Sequence, residues 1–229
     1  MKIEPQEMAH DYIDRYLSNI KNHCIDLSIV ELDGINDFSG SILTGQEMKR
    51  FGKMGEKRKK SYLGARLTCK YLFKKLAGTG ISVPVNAINT VFEDHPYPKC
   101  PFPDELNPFN CSVSHDSRFA VAVVSKRKIG VDVEEISGRA LKVLDRFMFE
   151  SEMSLVKTSG LGGSGAAVRI WSIKEAVTKA LRINMYQSWK IARVTEIGIN
   201  ISCVNVYDES CSAYHDIIDG HLFTILEMD

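Results

Sequence analysis

Two stretches of the sequence decide the fold: Ile170–Leu181, I-W-S-I-K-E-A-V-T-K-A-L, and Ile129–Glu135, I-G-V-D-V-E-E. The longer stretch predicts a helix, because alanine, leucine and charged residues favour that state and neither glycine nor proline interrupts it. At helical spacing, Trp171, Glu175 and Lys179 fall on one stripe, four residues apart, beside an apolar face. The helix therefore presents an indole, a carboxylate and an ammonium group on one side.

The shorter stretch predicts a strand that meets this helix. Val131 and Val133 face one side of the strand, whereas Asp132 and Glu134 face the other, about 7 Å apart. Together with Glu175 from the helix, they would give three carboxylates and no nitrogen or sulfur ligand. Hard oxygen ligands of this kind suit Mg²⁺ or Mn²⁺.

Two lysines flank the helical carboxylate, and both are candidates to bind a cofactor that carries phosphate. Lys174 precedes Glu175 directly, and Lys179 lies on the same stripe and would face the same ion. A metal ion and a lysine together stabilise charge on a transferring phosphoryl group or its leaving diphosphate. The alternative is that Asp132 and Glu134 form an exposed strand end, and that Glu175 and Lys179 form a surface ion pair.

The composition is that of an ordinary globular protein, with 229 residues, 44% hydrophobic and 25% charged residues, and a formal net charge of zero. The length suits one domain or two packed halves. No global charge indicates binding to nucleic acid or to a membrane. However, the segment 49–75 contains eleven Lys and Arg residues, opposed only by Glu47 and Glu56. This is either a solvated face or a site for a phosphate-rich ligand.

The cysteine pattern predicts free thiols. The six cysteines include no C-x-x-C pair and have no histidine at zinc-ligand spacing. The chain opens M-K-I-E-P-Q-E-M without an apolar signal region, and no run approaches the length of a membrane span. We therefore expect a cytoplasmic protein with reduced thiols and no membrane association.

The remaining elements follow from periodicity and turn signals. The predicted helices are 5–20, one starting near Thr44, 55–76 (basic), 140–147, 150–157 and 170–181. The predicted strands are 24–32, 86–92, 109–114, 118–125, 130–135, 192–198, 199–207, 212–217 and 221–227. Loops are predicted at His95–Pro103, which is rich in proline, and at Thr158–Gly165, which is rich in glycine but lacks the ending of a phosphate-binding loop.

Three segments resemble the signature blocks of the phosphopantetheinyl transferases: F-N-C-S-V-S-H-D-S-R-F from Phe109, G-V-D-V-E from Gly130 and W-S-I-K-E-A-V-T-K-A-L from Trp171. Their order and spacing resemble the monomeric surfactin-synthetase-activating type. The resemblance implies an α+β fold of two similar subdomains about a pseudo-twofold axis, residues 1–112 and 113–229. The first would carry an extra N-terminal helix and the basic helix, and the second the metal site.

The resemblance also implies roles for individual residues. Asp132, Glu134 and Glu175 match the family's magnesium ligands. Lys179 matches the lysine beside the coenzyme A diphosphate, which assists the departing adenosine bisphosphate. The residues that match the binding of the 3′-phosphate are Lys60, Ser61, Ser114 and His115.

Two further positions carry separate expectations. Glu152 matches a glutamate proposed as the general base that deprotonates the acceptor serine, directly or through a metal-bound water. The family's Gly-Lys-Pro sequence at the adenine site is replaced here by Pro96-Tyr97-Pro98. The proline is retained, and Tyr97 is a candidate to stack on the adenine where the lysine would lie.

The implied reaction is the Mg²⁺-dependent transfer of phosphopantetheine from coenzyme A to a serine of an apo acyl, peptidyl or aryl carrier protein. We expect a monomer, with the carrier docking on the segment Arg182–Trp189, and no nucleic-acid partner. One alternative is a non-catalytic module that holds nucleic acid or a nucleotide on the basic helix, although it gives the three carboxylates no purpose. Another is a degenerate transferase that binds coenzyme A without turnover.

Overall fold

The computed structural model describes residues 17–24, 26–77, 83–91 and 109–229. The helices are α1 (Ser18–Lys21), α2 (Ser39–Ile42), α3 (Gly45–Phe51), α4 (Glu56–Ala77), α5 (Leu144–Phe147), α6 (Glu150–Thr158), α7 (Gly163–Leu181) and α8 (Met185–Ile191). The strands are β1 (Asp26–Glu31), β2 (Asn110–His115), β3 (Phe119–Ser125), β4 (Lys128–Glu135), β5 (Ala192–Glu196), β6 (Ile201–Val206), β7 (Glu209–Ile218) and β8 (His221–Met228). Short 3₁₀ helices occupy Ile35–Phe38, Val85–Ala87 and Ala140–Val143.

The strands form two antiparallel sheets, a three-stranded sheet in the order β1-β3-β2 and a five-stranded sheet in the order β4-β8-β7-β6-β5. Alternate residues of each sheet pack between the two sheets, among them Ile29, Val121, Val131 and Phe223. The sheets therefore share one buried core, and the predicted α+β class is confirmed.

A long helix covers the opposite side of each sheet. Leu63 and Leu67 of α4 pack in one cluster with Val30 and Ala120 of the first sheet. On the second sheet, α7 packs its apolar stripe against β8 and the neighbouring strands. The order of layers is helix, sheet, sheet, helix, so β3, β4 and β8 are buried along most of both faces. Strands β5 and β6 instead alternate between buried and more exposed residues.

A buried ion pair fixes α3 and α4 together in the first half. Lys70 donates from Nζ to Glu47 Oε2 and to the carbonyl of Ile42, both at 2.5 Å. The same carboxylate accepts from the backbone N–H of Thr44 at 2.9 Å and of Thr90 at 3.0 Å. Burial alone would raise the pKa of Glu47, but the hydrogen bonds from Lys70, Thr44 and Thr90 outweigh it and lower that pKa.

The second half contains the same arrangement. Lys174 donates to Glu152 Oε2 at 2.7 Å and to the carbonyl of Phe147 at 2.6 Å. Glu152 accepts from the backbone N–H of Phe149 and of Val194, both at 2.7 Å. The side chains of both ion pairs are fully buried.

The two networks sit in the same order of elements. Each network lies in a series of five elements: a strand, a 3₁₀ helix, a short helix, a capped helix and a long helix. The capped helix is one whose first-turn glutamate accepts the backbone N–H of the residue before the helix. The series runs from β1 to α4 and again from β4 to α7. In both halves, a glutamate in the first turn of the capped helix receives a lysine from the long helix. The described residues thus contain one pattern of elements and contacts twice, and the predicted division into two similar subdomains stays a prediction.

Several predicted boundaries are wrong. The strand predicted at 86–92 is not formed over residues 86–91, because Asn89 Nδ2 bonds the carbonyl of Val91 and Glu47 takes the N–H of Thr90. The backbone there is satisfied by side chains rather than by a partner strand. The segment predicted as one helix at 140–147 is a 3₁₀ helix followed by α5.

The glycine-rich loop is shorter than predicted. Gly160 and Gly162 have φ of +72°, a conformation that favours glycine, but α7 already begins at Gly163. The helix therefore extends seven residues before Ile170, and glycines inside its first turn hid this boundary from the sequence.

Some predictions fall on undescribed residues. Tyr97 and the loop His95–Pro103 lie outside the described residues, as does the helix predicted at 5–20 except for its end, which is helical as α1. Of the cysteines, all but Cys100 are described, and Cys24, Cys69, Cys203 and Cys211 are free thiols as expected. Within the described ranges, we find no helix with the length and apolarity needed to cross a bilayer.

We predict that Lys70→Ala lowers the free energy of unfolding by about 3–5 kcal/mol, because it leaves the carboxylate of Glu47 buried without its countercharge. Urea unfolding followed by circular dichroism measures the change. Lys74→Ala, one turn further along α4 and without an ion pair among the described residues, is the control, with an expected change within about 0.5 kcal/mol. Equal effects of the two substitutions would contradict the structural role of the ion pair.

Candidate active site

An open cleft of about 500 Å³ separates α4 from the surface formed by β2, β4 and α7. It brings together most of the residues that the sequence predicted. The residues that line it are Met54, Arg58, Ser61, Tyr62, Ala65, Arg66, Val113, Ser114, His115, Asp132, Glu134, Glu175 and Lys179. Seven of the predicted site residues therefore line one cavity, and their functional roles stay predictions.

The close approach of α7 to β4 sets the carboxylate end of the cleft. A Cβ atom on Gly130 would lie 1.8 Å from the carbonyl oxygen of Ala176, so only glycine permits this contact. Gly130, Asp132 and Glu134 share the strand face toward α7, and the valines between them face the core between the sheets. The alternation predicted for β4 is confirmed.

Asp132 is the centre of the polar contacts in the cleft and is 2% exposed. Its Oδ1 accepts from Lys179 Nζ at 2.7 Å and from Ser114 Oγ at 2.9 Å, and Lys179 also donates to Ser114 Oγ at 2.7 Å. Its Oδ2 is buried and has no hydrogen-bond partner among the described residues. One oxygen of the most buried carboxylate is thus left for a further positive group.

The other two carboxylates lack countercharge. Burial, repulsion by Asp132 and a smaller repulsion by Glu175 raise the pKa of Glu134 to about 7, although Trp171 Nε1 donates to Glu134 Oε1 at 3.1 Å. Burial and Asp132 also raise the pKa of Glu175, against the opposing effect of Lys179. Among the described residues, a single ammonium group faces three carboxylates, which gives this end of the cleft excess negative charge.

The donor set fits a hard divalent cation. All three groups are carboxylates, and the unpartnered Asp132 Oδ2 is the atom that such an ion would satisfy. In the described part of the chain, however, no three His, Cys, Asp or Glu side chains are grouped closely enough to hold an ion. Lys179 engages Asp132, and Trp171 engages Glu134. The assignment of metal ligands therefore stays a prediction.

Three predicted site residues lie elsewhere. Lys174 and Glu152 form the buried ion pair described above, so neither lines the cleft. Lys174 is adjacent to Glu175 in sequence, but one residue turns about 100° around a helix, which points the lysine into the core. Lys60 is also absent from the lining, and it pairs with Asp33 at 2.7 Å.

A row of α4 residues in the cleft wall was not predicted from the sequence, namely Arg58, Tyr62 and Arg66. Arg66 Nη1 donates to the carbonyl and the hydroxyl of Thr90 at 3.1 Å, and its guanidinium lies 5.4 Å from the centre of the Tyr62 ring. Arg58 is exposed and forms no ion pair among the described residues. The sequence feature that could have revealed these residues is their spacing of four, which places them on the same side of α4 as Ser61.

Comparison with known proteins gives a consistent family assignment. A family model described as the 4'-phosphopantetheinyl transferase superfamily matches residues 128–223, which include β4 and α7. The chain is 30% identical over 115 residues to the Holo-[acyl-carrier-protein] synthase of Geobacillus kaustophilus, which covers 46% of this chain and 89% of that protein.

Two further relatives match as well. The chain is 30% identical over 128 residues to the 4'-phosphopantetheinyl transferase gsp of Aneurinibacillus migulanus, which covers 56% of this chain and 50% of the relative. The matched part thus spans half the length of that relative. Enterobactin synthase component D of Escherichia coli O157:H7 is 27% identical over 159 residues, 69% of this chain and 71% of its own.

We predict that Trp171→Phe weakens Mg²⁺ binding about 10- to 100-fold, because it removes the N–H that orients Glu134, a predicted ligand. Isothermal titration calorimetry with Mg²⁺ measures the affinity. Trp189→Phe is the matched control, since Trp189 lies in the same aromatic cluster and its buried N–H has no partner among the described residues. Equal Mg²⁺ affinities of the two variants would show that the indole does not orient a ligand.

Proposed function

Because the chain belongs to the 4'-phosphopantetheinyl transferase superfamily, we propose that it transfers phosphopantetheine from coenzyme A to a serine of an apo carrier protein. The serine oxygen forms a bond to the β-phosphorus, and the bond from that phosphorus to the bridging oxygen breaks. Adenosine 3′,5′-bisphosphate leaves, and the serine proton passes to a base. The observation that carries the proposal is the cluster of Lys179, Ser114 and Asp132 at one end of a cleft lined by α4.

The distribution of charge along the cleft supports one orientation of coenzyme A. The α4 wall offers the exposed guanidinium of Arg58 and the hydroxyl of Ser61, and His115 lies at the end of β2. These groups suit the 3′-phosphate. The diphosphate would then lie at the other end, beside Lys179, whose ammonium stabilises the charge that develops on the leaving group.

Magnesium dependence is part of the proposal. Asp132, Glu134 and Glu175 are the residues that would hold Mg²⁺, with Mn²⁺ as a substitute. When bound, the ion would neutralise charge on the diphosphate. Within the chain itself, Lys179 and Ser114 keep one oxygen of Asp132 occupied and leave the other free.

The general base is not Glu152 in this arrangement. Its two oxygens accept hydrogen bonds from Lys174, Phe149 and Val194, and its side chain is fully buried. A carboxylate held in this way has no oxygen open to a serine hydroxyl. We therefore infer that Glu152, although it matches the family's glutamate, stabilises the second half of the chain and does not act as the base.

The architecture of the proposal follows the repeated ion pair. We infer two subdomains, residues 1–112 and 113–229, related by a pseudo-twofold axis, with coenzyme A in the cleft between them. The recurrence of the same lysine–glutamate network supports this division. We also infer a monomer whose carrier contacts include the segment Arg182–Trp189, where Lys190 lies 4.2 Å from the exposed ring of Tyr186.

The decisive experiment is mass spectrometry of apo carrier proteins after incubation with coenzyme A, Mg²⁺ and the enzyme. We expect the mass of one phosphopantetheine to be added. Lys179→Ala should lower kcat about 10²- to 10³-fold, as expected for the loss of one group that stabilises transition-state charge. Wild-type enzyme that is folded and modifies no carrier from several synthases would refute the proposed activity.

A second prediction distinguishes Arg58 from Lys60 as the cationic contact to the 3′-phosphate. Arg58→Ala should raise the KM for coenzyme A about 10-fold or more, because a charge-assisted hydrogen bond is worth about 1.5–3 kcal/mol. Lys60→Ala should change it less than threefold, since Lys60 is engaged by Asp33 outside the cleft lining. A larger rise in this KM for Lys60→Ala than for Arg58→Ala would contradict the prediction and would favour Lys60 as the contact, as predicted from the sequence.

A further inference from the structure

Strand β2 is hydrogen-bonded to the second sheet through one of its faces. Ser112 Oγ accepts the backbone N–H of Val131 at 3.0 Å, and Ser114 Oγ donates to Asp132 Oδ1 at 2.9 Å. Residues two apart share a strand face, so the intervening Val113 points the other way, where it packs with residues of α4. Strand β2 thus has one face on β4 and the other on α4.

The next residue on the face toward the second sheet is Asp116, directly after the last residue of β2. Its Oδ2 accepts a hydrogen bond from His221 Nδ1 at 2.5 Å, and the side chains of His221 and Asp116 are only 9% and 7% exposed. His221 is the first residue of β8, and its ring lies edge-on to that of Phe119 at 5.1 Å. This buried contact therefore joins the turn between β2 and β3 to the second sheet.

Asp116 also closes that turn. Its Oδ1 accepts from the backbone N–H groups of Arg118 and Phe119, both at 2.8 Å, and its own N–H donates to the carbonyl of Phe119 at 2.9 Å. Aspartate commonly holds turns in this way, by bonding the backbone two residues further on. One carboxylate thus sets the shape of the turn with one oxygen and its position against β8 with the other.

His115 depends on this turn for its position. It is the last residue of β2 and lines the cleft opposite Arg58 and Ser61 of α4. Within the described ranges, no other residue holds its ring by a hydrogen bond. Its backbone, by contrast, is held through the side chains of its two neighbours, Ser114 and Asp116. A shift of the turn would therefore move the imidazole relative to the α4 wall.

We propose that His221 is a positioning residue for coenzyme A, which acts through Asp116 to hold His115 where its ring meets the 3′-phosphate. The inference rests on the proposed function, which places that phosphate between His115 and the α4 wall. His221 pairs with Glu135 of β4, so its contact with Asp116 also relates this end of the cleft to the strand that carries two of the carboxylates. A coenzyme that spans both ends gains affinity when the distance between them is fixed before it binds.

The first test compares coenzyme A with 3′-dephospho-coenzyme A, which lacks only the 3′-phosphate. Isothermal titration calorimetry with Mg²⁺ present gives the Kd of each, and the Kd of the dephospho form divided by that of coenzyme A isolates the effect of this phosphate. We expect His221→Leu, which removes the donor, to lower the ratio at least fivefold. His221→Asn, whose amide N–H replaces Nδ1–H, should keep the ratio within twofold of wild type. A general loosening of the fold would weaken both ligands together and leave the ratio unchanged.

Two further variants complete the set. His221→Phe keeps a ring beside Phe119 without the donor, should match His221→Leu, and takes its place if the leucine variant does not fold in a thermal melt. Arg118→Ala is the control, because it removes the ion pairs with Glu31 and Asp219 but keeps the backbone N–H that bonds the turn. Its ratio should stay within twofold of wild type.

The outcomes distinguish this inference from the proposed function. A ratio within twofold of wild type in a folded variant without the donor would overturn the inference, as would an equal fall in Arg118→Ala. We expect His115→Ala to lower the ratio at least as far as His221→Leu. If His115→Ala left it unchanged, the assignment of His115 to the 3′-phosphate would fail, and the inference with it. If wild-type enzyme binds coenzyme A but modifies no carrier, the transfer activity fails, whereas the binding ratios still decide the role of His221.

Discussion

The buried lysine–glutamate pair, formed once in each half, is the interaction on which the rest of the structure depends. Each carboxylate ties the start of a capped helix, the long helix and a segment further along the chain to one point. Taking two charges out of water is costly, so the pair adds little net stability, but removing one partner leaves an unpaired buried charge. Its contribution is therefore to specify one arrangement of helix on sheet.

That arrangement lets a single helix serve two purposes. Lys174 points into the core and holds α7 to α6, whereas Glu175 and Lys179 point into the cleft. Gly130 then allows β4 to approach the helix backbone, which brings Asp132 within 2.7 Å of Lys179. The chemistry of the site thus depends on a helix whose position is set by residues that never contact the cleft.

The sequence predicted the site to the extent that local geometry determines it. The alternation of β4 and the four-residue spacing on α7 follow from backbone periodicity alone, and the structure confirms both. The direction in which a lysine side chain points does not follow from periodicity alone, because it also depends on a carboxylate that is distant in sequence. Lys174 and Lys60 were therefore misplaced, each drawn away by a partner 22 or 27 residues apart. The strand predicted at 86–92 failed for the same reason, since Glu47 takes its backbone N–H.

Electrostatics in the cleft constrain the proposed reaction further. Under that proposal, a diphosphate must enter a cavity whose end already holds three carboxylates and one ammonium group. Two unit charges 4 Å apart interact by about 4 kcal/mol near a protein surface, so anions of the substrate and of the protein repel one another strongly there. Among the described residues, a single lysine faces this end of the cleft, and burial together with repulsion by Asp132 already raises the pKa of Glu134 before any substrate binds. Under the proposed function, a divalent cation between the carboxylates and the diphosphate would supply the missing positive charge, and the cation and the coenzyme would then each favour binding of the other.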